Sequence, residues 1–198
     1  MLKELILCIS LCISVMMCNL STTSAATTRV VDGDAQTLVE QMQMIVDRIN
    51  EEIPNYMPVK IQDPHRATNL EKNYNGYSSW TSELLSAESN AEFGQINLYT
   101  DEQGYIPLID FVFLDLEYSK LAGMVLGTEL VCLGVTDEEE INRFMESLSA
   151  KVQNGIDSGV SGVKMDESIY CGATNRYLDF YIYDCDEEHI HFEITARN

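Results

Sequence analysis

Basic side chains are scarce in this chain. Twelve Lys and Arg stand against 32 Asp and Glu, which leaves a formal net charge of −20. No segment gathers the basic residues into a cluster. Neutralising a phosphate backbone or an anionic lipid surface takes such clusters, so the composition argues against nucleic-acid and membrane-surface binding. It leaves solubility, or attraction to a cationic protein, a divalent cation or a basic cell-wall component.

Long apolar runs are also few. The run from Leu5 to Cys18 falls short of the roughly 20 residues that cross a bilayer as a helix. Lys3 precedes it and the small-residue tract "STTSAATT" follows, with Ala25 or Ala26 at a cleavage point. This pattern predicts an export leader over residues 1–26. One domain over 27–198 would follow, without a transmembrane segment, secreted or in the periplasm or envelope. A lipid anchor at Cys18 is disfavoured, because Met17 stands where such processing wants a small residue.

Cysteine is sparse once the leader is set aside. Cys8, Cys12 and Cys18 leave with it, and Cys132, Cys171 and Cys185 remain. Three cysteines allow one disulfide and no disulfide scaffold. Catalytic signatures are missing too. There is no nucleophile elbow or phosphate loop, and neither "DEQG" nor "DCDEE" has calcium-loop spacing. His65 in "DPHR" is isolated, and the carboxylates are too many to single out an acid–base pair.

What is present is an alternation of helical stripes and strand meanders. Asp32 or Asp34 can cap a helix reaching Glu52, with Leu38, Met42, Ile45 and Ile49 on one face and Pro54 beyond its end. Strands are predicted near "MPVKI" and over 77–85, 93–100 and 105–114, the last two joined by "DEQG". A second helix is predicted over 117–132, with Leu121, Val125, Thr128 and Cys132 on one face and Gly123 and Gly127 weakening it. The third helix has a Thr136/Glu139 capping box, the stripe Ile141, Phe144, Met145, Leu148 and Val152, and a stop at Asn154-Gly155. Its acidic first turn suits the helix dipole and needs no functional account. Three more strands are predicted over 159–167, 177–184 and 189–195.

The two halves look alike. "PVKIQD" follows the first helix and "GVKMDE" the third, and "INLYTDEQGYIPL" lies on "FYIYDCDEEHIHF" without a gap. In that match Ile96, Leu98, Tyr99 and Ile106 fall on Phe180, Ile182, Tyr183 and Ile190. This predicts diverged repeats over 34–114 and 136–196, and an α+β fold whose antiparallel sheet packs on helices and forms one saddle. In element order the chain resembles the TATA-binding-protein-like architecture and the doubled repeat of the β-lactamase-inhibitor protein. The first resemblance implies a DNA-binding saddle, which the charge opposes. The second implies an exported, acidic protein binder.

Chemistry gathers in "YIYDCDEEHIHFEI", Tyr181 to Ile194. Strand alternation puts Leu178, Phe180, Ile182, Ile190, Phe192 and Ile194 on a core face. His189, His191 and Glu193 lie opposite, beside Asp179, Tyr181 and Tyr183. With Cys185 in the turn, His189 and His191 are the candidate ligands of a weak zinc site. The simpler account makes them polar residues on the wet face of an edge strand. Cys185 could instead close a disulfide to Cys171 across about 15 residues, worth roughly 3 kcal/mol. Cys132 reads as a buried free thiol. Apolar residues of both parities between Ile106 and Leu114 mean a strand covered on both faces, with the glycine-bearing helix folding over it. Otherwise Ile109, Phe111 and Phe113, with Trp80, form a surface where a partner docks.

The reading is an exported, non-enzymatic binding domain whose partner is another protein, inhibitor-like or envelope-associated. Two alternatives stay open: a weak divalent-metal binder using the C-terminal hairpin, and an enzyme with a carboxylate site.

Overall fold

The computed structural model describes residues 29–31, 33–67, 77–114, 118–158, 165–172, 174–183 and 189–197. The expected leader, Asp32 and Cys185 lie outside these residues.

Local signals place the helices. Helix α1, Ala35–Glu52, begins where Asp34 accepts the Thr37 N–H at 2.8 Å, a side-chain cap on an orphan donor. Leu38, Met42, Ile45 and Ile49 form its buried stripe. Helix α2, Ser119–Cys132, is buried on nearly all sides. Leu121 and Cys132 are only half-buried while Glu129 is fully buried, so the expected single face is not how it packs. A helix apolar all round belongs inside a core. Helix α3, Glu138–Ser158, is capped by Asp137 and not by Thr136. The Asp137 carboxylate accepts the Glu140 N–H at 3.0 Å, which shifts the cap by one residue. Nor does Asn154-Gly155 stop α3. Ile156 continues its apolar stripe against the core, and packing outweighs the glycine.

The strands are β1 (Val59–Ile61), β2 (His65–Arg66), β3 (Ser78–Ser86), β4 (Glu92–Thr100), β5 (Leu108–Phe113), β6 (Met165–Cys171), β7 (Arg176–Tyr183) and β8 (Ile190–Arg197). Two-residue β2 was not foreseen, being too short for alternation to show. The strand expected over 159–167 is placed later, at β6, and residues 159–164 lie outside the described residues. All pairings are antiparallel, in the order β1-β3-β4-β5-β8-β7-β6, with β2 beside β3. The protein is thus α+β, an antiparallel sheet packed on helices.

The run β3-β4-β5 followed by β8-β7-β6 is the order that two helix-plus-meander units would give. The gapless match between hairpins is not kept, however. It sets Leu108 on Phe192, yet Phe192 belongs to the helix-side core and Leu108 does not. The β4–β5 connection is one residue longer than the β7–β8 connection, and a one-residue slip exchanges the faces of a strand.

The middle of the sheet is the β5–β8 pair, with Ile109 opposite Ile194, Phe111 opposite Phe192 and Phe113 opposite Ile190. All six are buried. The helices cover this face. Phe144 of α3 sits 4.7 Å from the Phe180 ring on β7, and Tyr118, just before α2, stacks on Phe93 at 5.5 Å. Leu38 and Met42 of α1 join the same core cluster as Leu98 and Phe111. Gly94 lets β4 approach β5, since a Cβ there would lie 2.8 Å from the Val112 carbonyl oxygen.

Outer strands expose backbone donors that invite pairing with other chains. Here Ile61 on β1 donates its N–H to Gln43 of α1 at 2.7 Å, and Tyr170 on β6 donates to Glu140 of α3 at 3.3 Å. Helix side chains thus engage a donor on each outer strand.

The central position of β8 makes Phe192→Ala a large-to-small change in the core, expected to cost about 3–5 kcal/mol. Urea unfolding measures it. A loss under about 1 kcal/mol would contradict the β5–β8 pairing as described.

Candidate functional site

The face turned away from the helices is polar. Thr81, Asn97, Asp110, Glu193 and Tyr181 are direct cross-strand neighbours on β3, β4, β5, β8 and β7. Alternation puts them on one face, and Thr81, Asn97 and Asp110 are buried there. Thr81 Oγ1 donates to Asn97 Oδ1 at 2.9 Å, and Asn97 Nδ2 donates to Asp110 Oδ2 at 3.4 Å. The other Asp110 oxygen meets His191 Nε2. Asn97 is 3 % exposed and Asp110 6 %, so these bonds satisfy polar groups that would otherwise be costly to bury.

One end of this face carries exposed aromatic rings. Tyr170 and Tyr177 are cross-strand neighbours on β6 and β7, with ring centroids 5.1 Å apart. They are 37 % and 40 % exposed. The Arg197 guanidinium lies 4.4 Å over the Tyr177 ring. Its Nε donates to Asp179 Oδ2 at 2.7 Å, and Ser168 Oγ donates to Asp179 Oδ1 at 2.6 Å. The Tyr170 hydroxyl donates to Asn175 at 2.8 Å. A planar cation and two rings are thus held in place by neighbours while keeping surface to offer.

The expected docking residues are elsewhere. Ile109, Phe111 and Phe113 point into the helix-side core and are buried. Trp80 is half-buried and donates its indole N–H to Thr100 Oγ1 at 3.2 Å. Apolar residues of both parities occur in β5 because Leu108 and Val112 sit on the other face beside the polar row. The strand is covered on its helix side, the first of the two readings, and the alternative docking surface at Ile109, Phe111 and Phe113 is corrected. Tyr170 and Tyr177 were missed because tyrosines in alternating strands look like ordinary strand formers. Only the register shows that the two rings meet.

The C-terminal hairpin has the expected core face, with Leu178, Phe180, Ile182, Ile190, Phe192 and Ile194 all buried. It is not at an edge, since β8 lies between β5 and β7. His189 and His191 are half-buried, and the third expected ligand, Cys185, lies outside the described residues. Among the described residues no group of three His, Cys, Asp or Glu converges as a metal site.

The Cys171–Cys185 disulfide fails on register. Cys171 is a free, buried thiol opposite Arg176 at one end of the hairpin, donating to the Leu133 carbonyl at 3.4 Å. Tyr183 is at the other end, about 23 Å of strand away at 3.3 Å per residue. Two further residues span at most about 7 Å, and a disulfide needs Cα atoms within about 7 Å.

Two acids on the helix side behave oppositely. Glu129 is fully buried on α2, and neither carboxylate oxygen has a hydrogen-bond partner among the described residues. Burial pushes its carboxyl well above the usual range. Burial, helped by Glu129, also pushes the Cys132 thiol up, which makes that thiol a poor nucleophile. Glu129 lines neither the cleft between α2 and α3 nor the groove beside α1. Glu167 is raised by burial, but hydrogen bonds from Lys151 at 2.6 Å and Ser147 at 2.8 Å outweigh this and hold it below the usual range.

No protein-family model, curated protein or solved structure matches the chain. Among the described residues no helix is long and apolar enough to cross a membrane.

Glu129 has a pH signature. A carboxyl raised on folding gives up its proton first in the unfolded chain. Its contribution to stability therefore falls as pH rises above about 4.3, the unfolded value, by at most about 1.4 kcal/mol per unit until the folded value is passed. Glu129→Met should remove that slope in urea unfolding between pH 4 and 8. Parallel profiles for variant and wild type would contradict a buried, unpartnered carboxyl.

Zinc titration of the purified chain tests the histidines. Replacing His189 and His191 with Gln should preserve the circular-dichroism spectrum and remove only weak zinc binding. Stoichiometric submicromolar binding that disappears in the double variant would put the metal reading first.

Proposed function

We propose that the chain is a binding domain that docks another protein on the polar face of its sheet, with Tyr170, Tyr177 and Arg197 as anchors. The observation that carries this is the exposed pair of tyrosine rings with a guanidinium over one of them. Tyrosine and arginine dominate binding energy at protein interfaces because they bury much area, hydrogen-bond at their tips and lose little conformational freedom when already held. Asp179 and Ser168 already hold Arg197, which lowers the ordering cost on association.

Charge selects the partner. The same face presents Glu193, opposite Tyr181, and the whole chain carries a formal net charge of −20. This favours a cationic surface and steers it in at low ionic strength. Binding by strand addition is disfavoured where Gln43 and Glu140 already engage outer-strand donors. The leader-like sequence of residues 1–26 supports an interaction outside the cytoplasm, in keeping with an inhibitor-like or envelope-associated role. The doubled helix-plus-meander order supports the same reading as an analogy of architecture.

A photo-crosslinking residue at Tyr177, compared with one at the exposed Met44 of α1, tests this in an extract of the exported fraction. A partner should crosslink at Tyr177 and not at Met44. Tyr170→Ala or Arg197→Ala should weaken its binding at least tenfold, about 1.4 kcal/mol, with the fold unchanged. Raised salt should weaken it further. Crosslinking confined to Met44, or affinity unchanged in both variants, would refute the docking face.

A further inference from the structure

We propose that residues 128–133, the end of α2 and its cap, form a proton-gated segment, which stays in the core while Glu129 holds its proton and opens to solvent when Glu129 ionises, baring Cys132. The observation that carries this is a carboxyl with nothing to bind. Glu129 is fully buried, and neither of its oxygens has a hydrogen-bond partner among the described residues. An isolated charge inside a core costs far more than a neutral carboxyl, so the closed state keeps the proton. The helix dipole acts in the same direction, because Glu129 stands in the last turn, at the negative end, and no basic residue shares that turn.

The charged groups of the elements that share the core with α2 do not relieve Glu129. Those of α1 are all exposed, and α3 contributes Glu138, Glu140 and Lys151 as its partly buried charges. From the sheet come Arg176, bonded to the Arg29 carbonyl, and Glu167, bonded to Lys151. On α2 itself, Lys120 lies 5.9 Å over the Tyr56 ring, and Cys132 is the titratable neighbour one turn along. None of these bonds a Glu129 oxygen.

Local structure supplies the hinges. α1 and α3 are capped by Asp34 and Asp137, whereas α2 has no side-chain cap at its start and no acid in its first turn. Gly127 precedes the segment and weakens the helix there. Gly134, at φ +95°, ends it in the left-handed region that glycine favours. The Thr128 hydroxyl donates back to the Met124 carbonyl at 3.0 Å, a bond that bends helices. Buried Leu130 and Val131 hold the segment in, and half-buried Cys132 puts solvent one turn from Glu129. The closed form binds the proton and the open form releases it. The opening constant is therefore flat below about 4.3, the ordinary carboxyl value, and rises up to about tenfold per pH unit above it until the closed-state value is passed. The gate lies on the helix side of the sheet and does not depend on the tyrosine face.

Native-state hydrogen exchange of the purified chain between pH 5 and 8, with rates corrected for base catalysis, tests the gate. The amides of residues 130–133 should open at least tenfold more readily than the β5–β8 ladder amides, with an opening constant that rises with pH. In Glu129→Gln and Glu129→Met, two variants in case one fails to fold, that constant should not change with pH. Alkylation of Cys132 by N-ethylmaleimide, located by peptide mass, should rise with pH more steeply in wild type than in either variant. Exchange of residues 130–133 only together with the β5–β8 ladder would overturn the proposal. So would the same pH dependence, of exchange or of Cys132 alkylation, in wild type and variants.

Discussion

The pairing of β5 with β8 is the contact on which the rest of the structure depends. It joins a meander built by residues before α2 to one built by residues after α3. The two strands are far apart in sequence, so closing this contact costs loop entropy that only burial can offset. The burial is there: Ile109, Phe111 and Phe113 lie against Ile194, Phe192 and Ile190, with the Phe113 and Phe192 rings 5.9 Å apart edge to face. α2 shares the core cluster with this join, in keeping with its being apolar nearly all round. Without the join, that helix would expose a surface no single amphipathic stripe could hide.

Alternation along these strands also allocates function. Each residue in β5 and β8 that points toward the helices leaves its neighbours pointing away, so a tight core on one side yields a defined surface on the other. On that surface Thr81, Asn97, Asp110 and His191 satisfy one another across four strands. Their mutual bonds hold the middle of the face and leave the Tyr170–Tyr177 end with exposed surface for contact. Elsewhere, Lys151 and Ser147 fasten α3 to Glu167 of β6, and Arg176 fastens the segment before α1 through the Arg29 carbonyl at 2.7 Å.

Much of this was legible residue by residue. The buried stripe of α1, the core face of the C-terminal hairpin and the α+β class all follow from local periodicity, which one element displays by itself. The misses share a cause, which is that they depend on a partner distant in the chain. β8 reads as an edge strand until β5 is known to pair with it. Ile109, Phe111 and Phe113 leave a docking face open as the alternative to a covering helix until the helices are laid over them. Cys171 and Cys185 read as bridgeable until the register sets the ends of β7 apart. The burial of Glu129 has no local signal, since nothing nearby in the sequence tells a reader that α2 is enclosed. The shift of the α3 cap from Thr136 to Asp137 is the local exception. Both residue types accept a backbone N–H well, and one residue of phase decides between them.

Native-state hydrogen exchange tests the central join most directly. If β5 and β8 hold the two meanders in one sheet, the ladder amides of Leu108–Phe113 and Ile190–Thr195 should be among the last to exchange, at a free energy equal to that of global unfolding. The contradicting result is an exchange of these amides in a separate, lower-energy opening while the β3–β4 and β6–β7 amides stay protected. That would mean two meanders in contact instead of one sheet.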